Sequence, residues 1–142
     1  MPAPYDAGAG RLRVAATLAG TYAVVAYVTD APYTEGSSGS STTKYLGGEF
    51  VKAGDPTLSG SATVIYSDTD TLGQTLIYNA KRSGASVFFQ WCPAGTTTGS
   101  KVEQFEAKID EVSGDLNADN EWVMKSFSYT GVPSTLTTVT LA

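Results

Sequence analysis

Only one stretch of this sequence spaces its apolar residues as a helix does. Leu72, Leu76, Ile77 and Ala80 recur on one side of residues 70–83, the pattern of an amphipathic helix. Asp68 or Asp70 offers a capping carboxylate to the first free amides. Lys81 and Arg82 fall in the last turn, where positive charge offsets the helix dipole. Gly84 is placed to take the left-handed conformation that ends a helix. The stripe is narrow, enough to cover the edge or face of a sheet and too slim for the middle of a bundle. The rest of the chain therefore has to fold as β structure.

Its patterning agrees. From Arg11 to Leu18, Leu12, Val14, Ala16 and Leu18 alternate with Arg11, Arg13, Ala15 and Thr17, the period of a half-buried strand. Tyr22 to Val28 is apolar on both faces, which predicts a strand buried on both sides. Two arginines followed by an apolar run could also suggest a secretion signal, but Thr17, Gly20 and Thr21 interrupt it. The run is also too short and broken to span a bilayer as an anchor. Further strands are predicted at Tyr45–Val51 (interrupted by Gly47-Gly48), Ala62–Tyr66, Ser86–Cys92, Lys101–Val112, Glu121–Thr130 and Leu136–Leu141. Val87, Phe89 and Trp91 point one way in their strand, and Phe88, Gln90 and Cys92 the other. Phe105, Ala107 and Ile109 share a face, as do Val123, Phe127 and Tyr129 opposite Trp122 and Met124.

One helix among about eight strands predicts two packed antiparallel sheets, a β-sandwich or flattened barrel, with the helix flanking it. The 142 residues suffice for a single domain. Residues 1–10, rich in Pro, Gly and Ala, read as an N-terminal arm. Residues 30–44 read as a long extended loop with a Gly/Ser centre from Gly36 to Ser41. A loop of that length in a compact domain is commonly functional.

The residues for chemistry are missing. With no histidine, the commonest general base, metal ligand and triad member is gone. The single cysteine, Cys92, follows aromatic strand residues and lacks a basic neighbour, so it reads as a buried filler. Asp115-x-Asn117-x-Asp119 starts like a calcium loop, but Asn120 and Ser126 stand where glycine and glutamate are required. Glu103, Glu106, Asp110, Glu111, Asp115 and Asp119 are strung along one strand and its turn. They do not face each other as an acid–base pair must. Gly8-x-Gly10 precedes a strand and lacks the rest of a dinucleotide pattern. No enzyme, cofactor or metal is expected. The net charge of −5 opposes tight nucleic-acid binding, yet an acidic wall would let DNA slide past without sticking. Charged residues make up only 16%. A chain with so few suits burial between subunits, and Arg11 and Arg13, on one strand face, could pair with an acidic neighbour.

The order of elements from Asp55 to Pro133 resembles the major tail protein, or tail tube protein, of long-tailed bacteriophages. The resemblance rests on Ser67 to Asp70 before the helix and on Asn79-Ala80-Lys81-Arg82 at its end. Gly84 then leads into Val87-Phe88-Phe89-Gln90-Trp91, with Pro93-Ala94-Gly95 after it. Ser113-Gly114-Asp115 and the strand from Ser126 to Tyr129 follow, ending in Thr130-Gly131-Val132-Pro133. The similarity covers a little over half of the chain well; the first fifty residues fit in outline. It implies a structural virion protein, made in the host cytoplasm, whose hexameric rings stack into a tube for DNA delivery. Its partners would be copies of itself and the tape measure, tail tip and terminator proteins. A long loop in the first half, here Tyr33, Thr34, Glu35, Gly36, Ser37, Ser38, Gly39, Ser40 and Ser41, would reach the adjacent ring. The six acidic residues would lie at a ring interface or line the lumen. Tail terminator or connector proteins and type VI secretion tubes share this general fold. The competing reading is a secreted carbohydrate-binding β-sandwich that stacks sugars on Trp91, Trp122 and tyrosines.

Overall fold

The computed structural model describes residues 5–142. The strands are β1 (Arg11–Ala15), β2 (Ala23–Val24), β3 (Val28–Asp30), β4 (Tyr33–Ser37), β5 (Ser41–Tyr45) and β6 (Gly48–Lys52). They continue with β7 (Pro56–Ile65), β8 (Ser86–Cys92), β9 (Lys101–Asp115), β10 (Met124–Gly131) and β11 (Thr137–Thr140), and α1 (Gln74–Ser83) lies between β7 and β8. Nine strands form one antiparallel sheet in the order β2-β1-β8-β9-β10-β7-β3, with β11 also on β9 and β4 also on β7. β5 and β6 pair only with each other. The fold is mainly β with one flanking helix, as the sequence indicates. Its flattened-barrel form is a single sheet that curls.

The core shows the curl. Leu12 of β1 and Leu58 of β7, near opposite edges, are buried in one cluster with Phe89, Phe105, Phe127 and Tyr129. Phe89 and Tyr129 have ring centroids 4.7 Å apart although β9 separates their strands. β9 is the hub. β8 pairs with it over Glu103–Lys108, while β11 and then β10 occupy its other edge. Beyond Lys108 the β8 edge carries no strand among the described residues, and α1 packs against β9.

Several local expectations change. The first strand stops at Ala15, and Leu18 is exposed. Tyr22–Val28 is not a strand buried on both faces: only Ala23 and Val24 pair with β1, and Tyr27 turns the chain at φ +57° with its ring in solvent. Residues 30–44 are not a loop, since they contribute β4 and β5. Tyr45–Val51 is a hairpin, with Leu46-Gly47 as its turn and Gly47 at φ +95°. β9 runs on to Asp115, so the acidic turn starts later, and Val123 lies exposed before β10. Of the predicted arm, residues 1–4 lie outside the described residues. Ala7–Ala9 form a 3-10 turn whose Gly8 amide donates to Asp6.

The helix begins at Gln74 rather than residue 70, and Leu72 is exposed. The N-cap is Gly73 rather than Asp68 or Asp70, but Asp70 still serves the helix start: its Oδ2 accepts from the Gln74 amide at 3.0 Å and from the Ala26 amide at 2.8 Å. Gln74 is fully buried. Its Nε2 donates to the Ala26 and Ile65 carbonyls at 2.7 and 3.0 Å, and its Oε1 accepts from the Ser67 amide at 3.0 Å. One residue pair thus ties the irregular 23–28 segment and the end of β7 to the helix start. Buried groups robbed of their partners cost about 1–3 kcal/mol each. Gln74→Leu should therefore lower stability by roughly 2–4 kcal/mol in urea unfolding; a change under about 0.5 kcal/mol, the level of an ordinary surface substitution, would remove the clasp from this account.

Candidate assembly surface

The residues expected to form the reaching loop build the root of a β ribbon. Tyr33 is half-buried, its ring edge-on to Trp91 at 4.8 Å. From Thr34 outward the side chains are exposed. β4 pairs with β7 from Tyr33↔Gly60 to Ser37↔Pro56. Ser38 and Asp55 extend the ribbon: the Ser38 amide donates to the Asp55 carbonyl and the Asp55 amide to Ser38 Oγ, both at 2.8 Å. At Gly54 a Cβ would collide with the Ser38 carbonyl, so this crossing needs glycine. After Gly39 and Ser40 the chain continues as β5, and Ser41 opens the hairpin.

The hairpin is unlike the rest of the surface. Leu46 is fully exposed, and Tyr45, Phe50 and Val51 are each more than half exposed. The Tyr45 and Phe50 rings lie 4.9 Å apart, which stiffens the tip without hiding it. An isolated two-stranded hairpin is marginal in water, and clustered exposed apolar groups mark an interaction site. The sequence reading missed these residues. Their signal was Gly47-Gly48 flanked by apolar residues on both sides, a hairpin pattern.

The six acidic residues do not converge. Glu103 and Glu106 are half-buried near the start of β9, where Glu103 accepts from Thr138 Oγ1 at 3.1 Å and Glu106 has its amide on Thr135 Oγ1. Asp110 and Glu111 are exposed where the β9–β10 register shifts, accepting from Thr130 and Ser113 hydroxyls. Asp115 and Asp119 belong to the exposed turn, with Asp115 within 3.4 Å of the Asn120 amide group. Glu103 and Asp115 stand about 40 Å apart along an extended strand. Around Glu111 the outward face is hydroxyl-covered: Ser61, Thr63, Ser113, Ser126 and Ser128 line a shallow depression with it.

Trp91 is half-buried, its Nε1 donating to the Ala31 carbonyl at 2.9 Å and its ring edge-on to Tyr33. Trp122 is exposed beside Val123. Arg11 donates to the Gly8 and Gly10 carbonyls, and Arg13 to the Tyr22 carbonyl. Cys92 is buried, and burial pushes its thiol up to about 11, against a small opposing pull from Arg13. Burial likewise raises Tyr78 to about 12, aided by Tyr66 and Asp70. Groups whose folded pKa is raised favour the native state below their unfolded pKa, and that contribution is lost as pH climbs toward the folded value. The thermal midpoint should therefore hold up to about pH 9 and fall through pH 9–12, with Cys92 unreactive to iodoacetamide at pH 8. Rapid alkylation of the native protein would contradict this burial.

No protein-family model matches the sequence, and no curated protein sequence matches it significantly. Solved structures do match its fold. The SPP1 tail tube aligns over 96% of this chain and 80% of its own, with a TM-score of 0.78 and 14% identity. The tail of an empty GTA particle, refined with C6 symmetry, aligns over 96% and 98%, with a TM-score of 0.71 and 12% identity. The virion of a native gene transfer agent aligns over 94% and 98%, at 0.71 and 11%. At these identities the likeness is one of fold, and it extends over 94–96% of the chain.

Proposed function

We propose that this protein is a structural subunit of a virion tail tube. Copies close into sixfold rings, and the rings stack around a channel that conducts DNA. The observation that carries the reading is the end-to-end match to a tail of C6 symmetry, with almost nothing of either chain left over. The fold leaves open edges at β2, at β3 and β4, and at β11. Open edges invite pairing with another chain, and a closed ring removes them without limitless growth.

Tyr33 to Ser41 serve as the stem that carries the hairpin to a neighbouring ring. Asp110 and Glu111, on the hydroxyl-covered face with Ser61 and Ser128, face the lumen and repel phosphates, so DNA slides past. Glu103, Glu106, Asp115 and Asp119 lie toward ring contacts. The tape measure, tail tip and terminator proteins complete the tail, and the protein works within the virion after synthesis in the host cytoplasm. No step of this function is catalytic.

Negative-stain electron microscopy at rising concentration tests the reading. The intact protein should form rings or tubes with a central hole. Replacing Ser41–Lys52 by a short Gly-Ser turn should leave the thermal midpoint within a few degrees but shorten or abolish the tubes. A monodisperse monomer at every concentration would overturn the reading, and tubes of unchanged length in the variant would overturn the role of the hairpin.

A further inference from the structure

An apolar groove of about 660 Å³ opens beside β1 and β8. Leu12, Val24, Val25, Val28, Ala31 and Trp91 line it, and Val24 is partly exposed there. Arg11 and Asp30 are the charged side chains around it. Among the described residues nothing fills it, and an apolar depression of this size favours an apolar occupant.

The hairpin tip has the matching chemistry. Leu46 projects fully into solvent beside the Tyr45–Phe50 ring pair. Just behind the tip, Lys44 and Glu49 face each other across the two strands. A cation and an anion thus flank the apolar tip, as an anion and a cation flank the groove. The tip does not occupy the groove of its own chain, since Leu46 is fully exposed. The β4–β7 ladder and the Ser38–Asp55 crossing extend the ribbon's base, and from Pro32 to Leu46 the chain spans at most about 45 Å at strand rise.

We propose that the hairpin tip seats in this groove of a second copy, with Leu46 as the buried anchor and Lys44 and Glu49 meeting Asp30 and Arg11. Tip and groove are different surfaces, so the contact is heterologous and passes from copy to copy. It rests on the tail-tube reading and gives the stem a specific receptor.

The test is cross-linking during assembly. In a Cys92→Ala background, Leu46→Cys and Val24→Cys chains are mixed and treated with a short bis-maleimide. The expected product is a covalent dimer that appears only in the mixture and only under assembling conditions. Leu46→Asp should raise the concentration needed for assembly at least tenfold, and Leu46→Met should restore it. Tubes that form without the mixed cross-link would assign the groove to some other occupant and overturn the docking, leaving the tube reading intact. Normal tubes from Leu46→Asp would overturn it as well. No assembly by the intact protein would overturn both.

Discussion

Backbone hydrogen bonding at sheet edges is the constraint on which this molecule depends. A strand that buries one face and pairs on both sides has satisfied its amides and carbonyls; an edge strand has not. β9 satisfies both sides over its first half, between β8 on one edge and β11 and β10 on the other. Where β8 ends, the helix packs against β9. The curl that follows brings Phe89, Phe105, Phe127 and Tyr129 together and closes the core. The outer strands remain open among the described residues, and from Ser38 to Asp55 the ribbon carries its pairing away from the core.

The core and the ribbon divide the residues that hold the fold from those that face water. Stability sits in the aromatic cluster and in the Asp70–Gln74 clasp, neither of which touches the hairpin. The hairpin pairs only with itself and exposes Leu46, Phe50 and Val51. Apart from the Tyr45–Phe50 ring contact, its apolar residues stay in water and gain by leaving it against another surface. Changes at the hairpin can therefore leave the core contacts untouched.

The parts of the fold legible in the sequence were those where side chains set the structure. Aromatic alternation marked β8 and β10, and the central apolar face of β9 was equally plain. Gly84 takes φ +74° as the helix stop, where the sequence placed it. The ribbon was not legible, because Ser, Thr and Gly from Thr34 to Thr43 carry no alternation. Those strands exist by backbone pairing and by the crossing at Gly54. Tyr22–Val28 misled for the opposite reason. Its apolar run looked like a buried strand, but the segment bends at Tyr27 and is held by Asp70 and Gln74 across more than forty residues. A buried glutamine has no periodic signature, so that clasp was invisible. The acidic residues were correctly placed along one strand and its turn, while the apolar tip that dominates the candidate surface was passed over as part of an interrupted strand.

Hydrogen–deuterium exchange on free and assembled protein tests most directly whether neighbouring copies complete the open edges. The account expects the amides of β5 and β6 and the outer edge of β4 to exchange fast in the monomer and to slow at least tenfold on assembly. The amides of β8 and the core half of β9 should be slow in both states. Assembled particles in which the ribbon exchanges as fast as in the monomer would contradict it.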